Sequence, residues 1–217
     1  MNKIISLVLN KHIWIIPSLY SMRALVTRNH NRLIFLDLDG TIWEDKGSGG
    51  ILKTKFLNTN FTTNTKLKMR VVFFTNQTLF SRDCHVNVKV FFNYVIAWLG
   101  LIRKLRPVAI LVCHHHPKAN LGDLRLDCPF RKPSNRMIAE LNKIIPVDVS
   151  KSFLVGDKIT DMIAGMRSNL HVNLLIYNQN MFELNESSNN LEDDFAVFRI
   201  VANRQVENVF EQLSSDV

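Results

Sequence analysis

The sequence predicts an α/β fold, a Rossmann-like parallel sheet flanked by helices, and three observations carry that expectation. Short unbroken runs of β-branched and aromatic residues alternate with longer stretches of helix-like spacing, as strands buried on both faces and joined by crossover helices require. Polar residues able to do chemistry stand at the C-terminal end of one run after another, the edge at which open α/β sheets bind ligands. The chain's 217 residues, 47% hydrophobic and 21% charged, can bury a core without disulfide or metal staples. The same proportions exclude a disordered or fibrous chain.

Residues 1–31 read as an N-terminal extension and residues 32–217 as the α/β domain. In the extension, Asn10, Lys11 and His12 split the apolar stretches Ile4 to Leu9 and Ile13 to Ile16. A secretory signal needs an unbroken apolar stretch of roughly 7–15 residues, and Pro17 would disturb a long helix. Three readings stay open: a packing extension, a functional start at Met22, or a weak membrane-surface helix. A mean hydropathy of +0.02 and the lack of a long uncharged apolar run argue against a multi-span membrane protein, and no stable membrane association is expected. Three cysteines make no disulfide framework, so a reducing, cytoplasmic setting is the simpler expectation. The net charge of +8 owes five units to Lys3, Lys11, Arg23, Arg28 and Arg32, which precede the first acid. The small excess that remains suits phosphorylated compounds and is no nucleic-acid footprint.

The expected strands follow in order. Leu33 to Leu36 ends in Asp37-Leu38-Asp39-Gly40-Thr41, and Val71 to Phe74 ends in Thr75-Asn76. Val108 to Val112 ends in Cys113, Phe153 to Val155 ends in Gly156-Asp157, and Val172 to Ile176 comes last. Val88 to Leu105 and Arg136 to Ile145 carry apolar residues at helical spacing, the second with Ser134 as its N-cap. Leu57 to Thr65, rich in Asn and Thr, suits a short or irregular element. Glu183 to Asp194 reads as a surface loop and Gln205 to Leu213 as a closing helix.

Asp37 and Asp39 are the sharpest chemical signal. Two carboxylates two apart at a strand end can share one crevice when Gly40 lets the chain turn; one can attack phosphorus while the other moves protons. The plainer reading is a strand-ending Asp followed by a turn dipeptide. Asp157 adds a second acid at another strand end, and Mg²⁺ favours one or two carboxylates together with phosphate and water. Asp161 falls one helical turn later, as an outer partner of that cluster or as a solvated acid at a helix start. Thr75 and Lys132 supply a hydroxyl and an ammonium able to neutralise a phosphoryl group.

Together these residues resemble the haloacid dehalogenase-like phosphatases from about Leu33 to Leu213. Phe35-Leu36-Asp37-Leu38-Asp39-Gly40-Thr41, Phe74-Thr75-Asn76-Gln77, Lys132 and Gly156-Asp157-Lys158 match that superfamily's four motifs. The resemblance implies an Asp37 nucleophile that becomes an aspartyl phosphate, with Asp39 as acid and then base. It implies phosphate and substrate binding by Thr75, Asn76, Arg131, Lys132 and Lys158. Mg²⁺ would lie between Asp37, the Asp39 carbonyl and Asp157.

Cys113-His114-His115-His116-Pro117 and Cys128-Pro129-Phe130-Arg131-Lys132-Pro133 resemble the zinc-loop branch, which holds D-glycero-D-manno-heptose 1,7-bisphosphate phosphatases and histidinol-phosphatases. Cys113, His115 and Cys128 match zinc ligands, while Phe130 stands where the fourth would be. The loop therefore reads either as a Zn²⁺ site, completed by His114 or His116, or as a metal-free loop with Cys128 packed inside. Arg131 matches a position that contacts a second phosphate or acidic group. Thr78-Leu79-Phe80-Ser81-Arg82-Asp83 departs from the family's glycine-containing loop, and Cys84 matches no motif. The implied protein is a monomeric phosphatase with a minimal cap and a Cys/His loop. It would act on a small phosphorylated metabolite, heptose bisphosphate ahead of histidinol phosphate, in precursor synthesis for surface polysaccharide. The alternatives are a polynucleotide 3′-phosphatase and a decayed relative that binds a phosphorylated ligand without turnover.

Overall fold

The computed structural model describes residues 8–9, 14–15, 31–42, 70–78, 88–177 and 197–202, with side-chain surroundings over 31–42, 70–78 and 95–171. Its strands are β1 (Val8–Leu9), β2 (Trp14–Ile15), β3 (Leu33–Leu36), β4 (Arg70–Asn76), β5 (Ala109–Cys113), β6 (Phe153–Gly156), β7 (Val172–Tyr177) and β8 (Val197–Ala202). The helices are α1 (Val88–Leu105), α2 (Arg136–Ile144) and α3 (Ile159–Arg167).

The strands form one sheet in the order β1-β2-β5-β4-β3-β6-β7-β8. From β5 to β8 every neighbouring pair is parallel, as the unbroken apolar runs predict. The chain steps outward from β3 through β4 to β5, then returns to the other side of β3 to lay down β6, β7 and β8. The order therefore reverses between β3 and β6, and a crevice opens at the carboxyl ends of strands flanking such a reversal. At the far edge Trp14 and Ile15 pair antiparallel with Val112 and Leu111, so the chain is extended at these two residues.

Alternation along each strand divides the core between the two faces of the sheet. Phe35, Val72, Phe74, Leu111 and Leu154 face one way and pack with Met137, Ile138 and Leu141 of α2 and Met162 of α3. Ile34, Leu36, Phe73, Ile110 and Val155 face the other way and meet Leu101 and Leu105 of α1. Phe35 and Phe74 meet edge to face at 6.3 Å, and Phe73 meets Trp98 in the same manner at 6.1 Å. No helix among the described residues is long and apolar enough to cross a membrane.

Two boundaries differ from the sequence reading. Asn135, not Ser134, immediately precedes α2 and makes no side-chain cap, although Ser134 Oγ still accepts the Arg136 N–H at 3.2 Å. The helix ends at Ile144 because Ile145 is extended. The segments Leu57 to Thr65, Glu183 to Asp194 and Gln205 to Leu213 lie outside the described residues, as do Arg82 and Cys84.

Phe73 is wholly buried beneath α1. Truncating it leaves a cavity that rigid flanking strands cannot collapse, so Phe73→Ala is expected to lower unfolding stability by about 3–5 kcal/mol in urea titrations.

Candidate active site

The strand ends of β3, β4 and β6 bring the candidate residues to one place. β3 delivers Asp37, almost fully buried, whose N–H donates to the Val155 carbonyl at 2.9 Å and so extends the pairing with β6 by one residue. Gly40 then takes a φ of +85°, in the left-handed region. A Cβ there would lie 2.0 Å from Asp157 Oδ2, so the turn after β3 and the acid after β6 can meet only through glycine.

Lys132 enters from the loop between β5 and α2. Its buried Nζ lies 2.7 Å from Asp37 Oδ1 and 2.5 Å from Asp161 Oδ1, and it donates to the Phe74 carbonyl at 3.1 Å. Burial alone would push its ammonium toward deprotonation, but Asp37 and then Asp161 overcome this and hold its pKa above the ordinary value. Asn76 grips the same residue through its main chain, accepting the Lys132 N–H at 3.1 Å and donating to the Lys132 carbonyl at 3.3 Å. The amide of Asn76, a residue the resemblance assigns to phosphate binding, thus orients Lys132.

Asp161, left outside the expected site residues, is wholly buried and central. It sits in the first turn of α3, where one carboxylate oxygen pairs with Lys132 and the other accepts the Lys158 N–H at 3.1 Å. Gly156 permits this, since a Cβ there would lie 2.5 Å from the Asp161 side chain. Lys158 is half exposed, with Nζ 3.8 Å from Asp157 Oδ2.

Carboxylate oxygens of Asp37, Asp157 and Asp161 lie within 4.8 Å of one another. Asp157 Oδ1 is buried without a hydrogen-bond partner, and hard oxygen donors in such a cluster suit Mg²⁺. Without a cation, burial first and the Asp37 charge second raise the Asp157 carboxyl from 3.8 to about 8. Burial raises Asp161 to about 6, against the pull of Lys132.

Gln77, quoted only within its motif by the sequence reading, is also buried here. Its Nε2 donates to Asp39 Oδ2 at 2.9 Å and to Thr75 Oγ1 at 3.0 Å. A buried amide beside a strand-end hydroxyl leaves no periodic or charge signal, so only position within the motif could have drawn attention to it.

The Cys/His loop closes one side. Cys113, His115 and Cys128 are buried with donor atoms within 4.8 Å of one another. Neither His114 nor His116 belongs to that group among the described residues. Phe130 packs against the core beside Cys113 and Cys128. Arg131 donates to the His115 carbonyl at 2.8 Å and so ties the two arms of the loop together.

No family model matches the chain. Among curated proteins, it is 30% identical over 150 residues to the D-glycero-beta-D-manno-heptose-1,7-bisphosphate 7-phosphatase of Escherichia coli, covering 66% of this chain and 78% of that one. The Haemophilus influenzae enzyme of the same name is 30% identical over 155 residues, with 67% and 82% covered. Among solved structures, a candidate HAD-like phosphatase from Mesorhizobium loti superposes with a TM-score of 0.69 at 24% identity, covering 96% of this chain and 94% of that one. The D,D-heptose 1,7-bisphosphate phosphatase of B. bronchiseptica, solved with magnesium and phosphate, gives 0.56 at 21% identity, with 86% and 99% covered. These superpositions show the fold.

The raised carboxyls set a pH dependence. Metal-free folded protein keeps a proton on Asp157 that the unfolded chain has released, so this stabilisation is full below about pH 4 and lost as pH rises through about 8. Asp161 adds the same sign of effect up to about pH 6. A cation displaces those protons. Mg²⁺ is therefore expected to raise Tm by thermal melting more at about pH 8 than at about pH 5.

Proposed function

This chain belongs to the haloacid dehalogenase-like phosphatases, in their heptose bisphosphate phosphatase branch, and from that membership we propose that it removes the 7-phosphate of D-glycero-D-manno-heptose 1,7-bisphosphate through a covalent Asp37 intermediate. The observation that carries the reading is the buried Lys132 ammonium held between Asp37 and Asp161 beside the under-partnered Asp157. The class of reaction, phosphoric monoester hydrolysis, is that of the family.

Lys132 keeps Asp37 paired and aimed at the strand-end crevice, and its positive charge offsets the negative charge of the transferring phosphoryl group. An Asp37 oxygen attacks phosphorus as the bond to the sugar oxygen breaks, and Asp39 gives that oxygen its proton. Water then attacks the aspartyl phosphate, Asp39 takes up the water's proton, and inorganic phosphate leaves with Asp37 restored. Thr75 and Lys132 bind the phosphoryl oxygens throughout. Asp37 and Asp157, with the Asp39 carbonyl, would hold Mg²⁺, which supplies charge neutralisation to the transferring group. Arg131, at the mouth of the Cys/His loop, is the group suited to the substrate's second phosphate. Histidinol phosphate finds no support beside the heptose-specific relatives.

Zinc is a separate matter. A closed structural site uses four nitrogen or sulfur ligands, and Cys113, His115 and Cys128 provide three, with Phe130 at the fourth position. In this reading the loop holds its shape without zinc.

Phosphate release with Mg²⁺ from heptose bisphosphate and from a 3′-phosphorylated oligonucleotide tests the reaction. Heptose bisphosphate is expected to be preferred, and Asp37→Asn to lower turnover by roughly 10³-fold or more. Preference for the oligonucleotide would favour the polynucleotide phosphatase, and no release from folded protein would favour a decayed phospho-ligand binder. For the loop, Phe130→Cys is expected to retain zinc through dialysis against a chelator that strips the wild type, as read by metal analysis.

A further inference from the structure

We infer that Gln77 is the positioning residue for Asp39, fixing which carboxylate oxygen carries the proton in the reaction; the inference rests on the acid–base role proposed for Asp39. Gln77 stands immediately after β4, and its N–H donates to the Cys113 carbonyl at 2.9 Å, extending the β4–β5 ladder by one residue. Its main chain is therefore held by the sheet, and its buried side chain starts from a fixed point. The His114 ring also hydrogen-bonds the Gln77 backbone, so the residue is gripped from the Cys/His loop as well.

From that anchor Nε2 reaches Asp39 Oδ2 and Thr75 Oγ1, at 2.9 and 3.0 Å. An amide nitrogen only donates, and an ionised carboxylate only accepts. Asp39 Oδ2 faces a donor and is a poor seat for a proton, which leaves Oδ1 to give and take it. Thr75 Oγ1 likewise accepts from Gln77, so its own O–H is turned away from the amide, available to donate to a phosphoryl oxygen. One buried amide thus sets two groups at once: the acid–base carboxyl after β3 and the phosphate-binding hydroxyl at the end of β4. Asp39 stands three residues past the end of β3, and Gln77 ties its carboxylate to the end of β4. Holding a reacting group to within an ångström of its productive place is worth about 10²-fold in rate.

Gln77→Leu keeps the bulk and removes both bonds. It is expected to lower kcat by about 10²-fold while KM moves less than about 3-fold. The deficit should also depend on the leaving group. Single-turnover release of a sugar alcohol, which needs a proton from Asp39, should slow by about 10²-fold, whereas release of nitrophenol from nitrophenyl phosphate, which needs no proton, should slow less than about 3-fold. A loss of phosphate binding or of general order would slow both alike. Gln77→Glu preserves shape but cannot donate as a carboxylate; it should show the same split and stands in if the leucine variant fails to fold. Equal slowing of both substrates, or none, in a folded variant would overturn the inference, whereas an inactive wild type would sink the phosphatase reading.

Discussion

Everything at the active edge depends on one buried ammonium shared by two carboxylates with a third close by. Lys132 touches Asp37 and Asp161 directly, and Asp157 lies in the same cluster. Three acids around one lysine leave the cluster short of positive charge, a costly arrangement in a buried setting. Its parts must therefore be fixed by the fold. Asn76 clamps the Lys132 main chain on both sides, Gly156 lets Asp161 fold back against β6, and Gly40 lets Asp157 approach the β3 turn. Each constraint comes from a different strand end, so the reversal of strand order between β3 and β6 is what makes the cluster possible.

The shortage of positive charge is also what makes the cluster useful. A buried ion pair is weak evidence for stability, because desolvation consumes most of its Coulombic gain. Here the balance is worse still: Asp157 retains an unpartnered buried oxygen and a carboxyl pushed far above its ordinary value. Such a group is poor structural material. It makes sense as a seat for a divalent cation arriving with a phosphate, which together supply the missing charge and the missing ligands. On the proposed function the site is organised for its loaded state, and Lys132 offsets part of the negative charge until then.

Much of the frame could be read along the chain because parallel strands buried on both faces are written as unbroken apolar runs. Leu33–Leu36 and Phe153–Gly156, with the acids that follow them, needed no tertiary information. Asp161 was harder, because an acid in the first turn of a helix is ordinary on the surface; only its burial behind Gly156 separates the two cases, and burial is a property of the packing. Gln77 was harder again, since its role is fixed by two hydrogen bonds across elements. Val8–Leu9 and Trp14–Ile15 could not be recognised as strands, because two-residue strands take their stability from the edge they join rather than from their own sequence.

The Cys/His loop combines apolar packing with one charged hydrogen bond. Phe130 packs against the core cluster that contains Cys113 and Cys128. Burial, ahead of the charge of Cys128, raises the Cys113 thiol to about 12, so in the metal-free protein it is a neutral, weakly polar group suited to an apolar neighbourhood. Zinc binding would have to remove that proton first, with one ligand fewer to repay the cost. Arg131 meanwhile joins the loop's arms through the His115 carbonyl, a link that requires no metal and leaves the adjacent Lys132 in place. Apolar packing and one charged hydrogen bond therefore hold the two arms of the loop together beside Lys132.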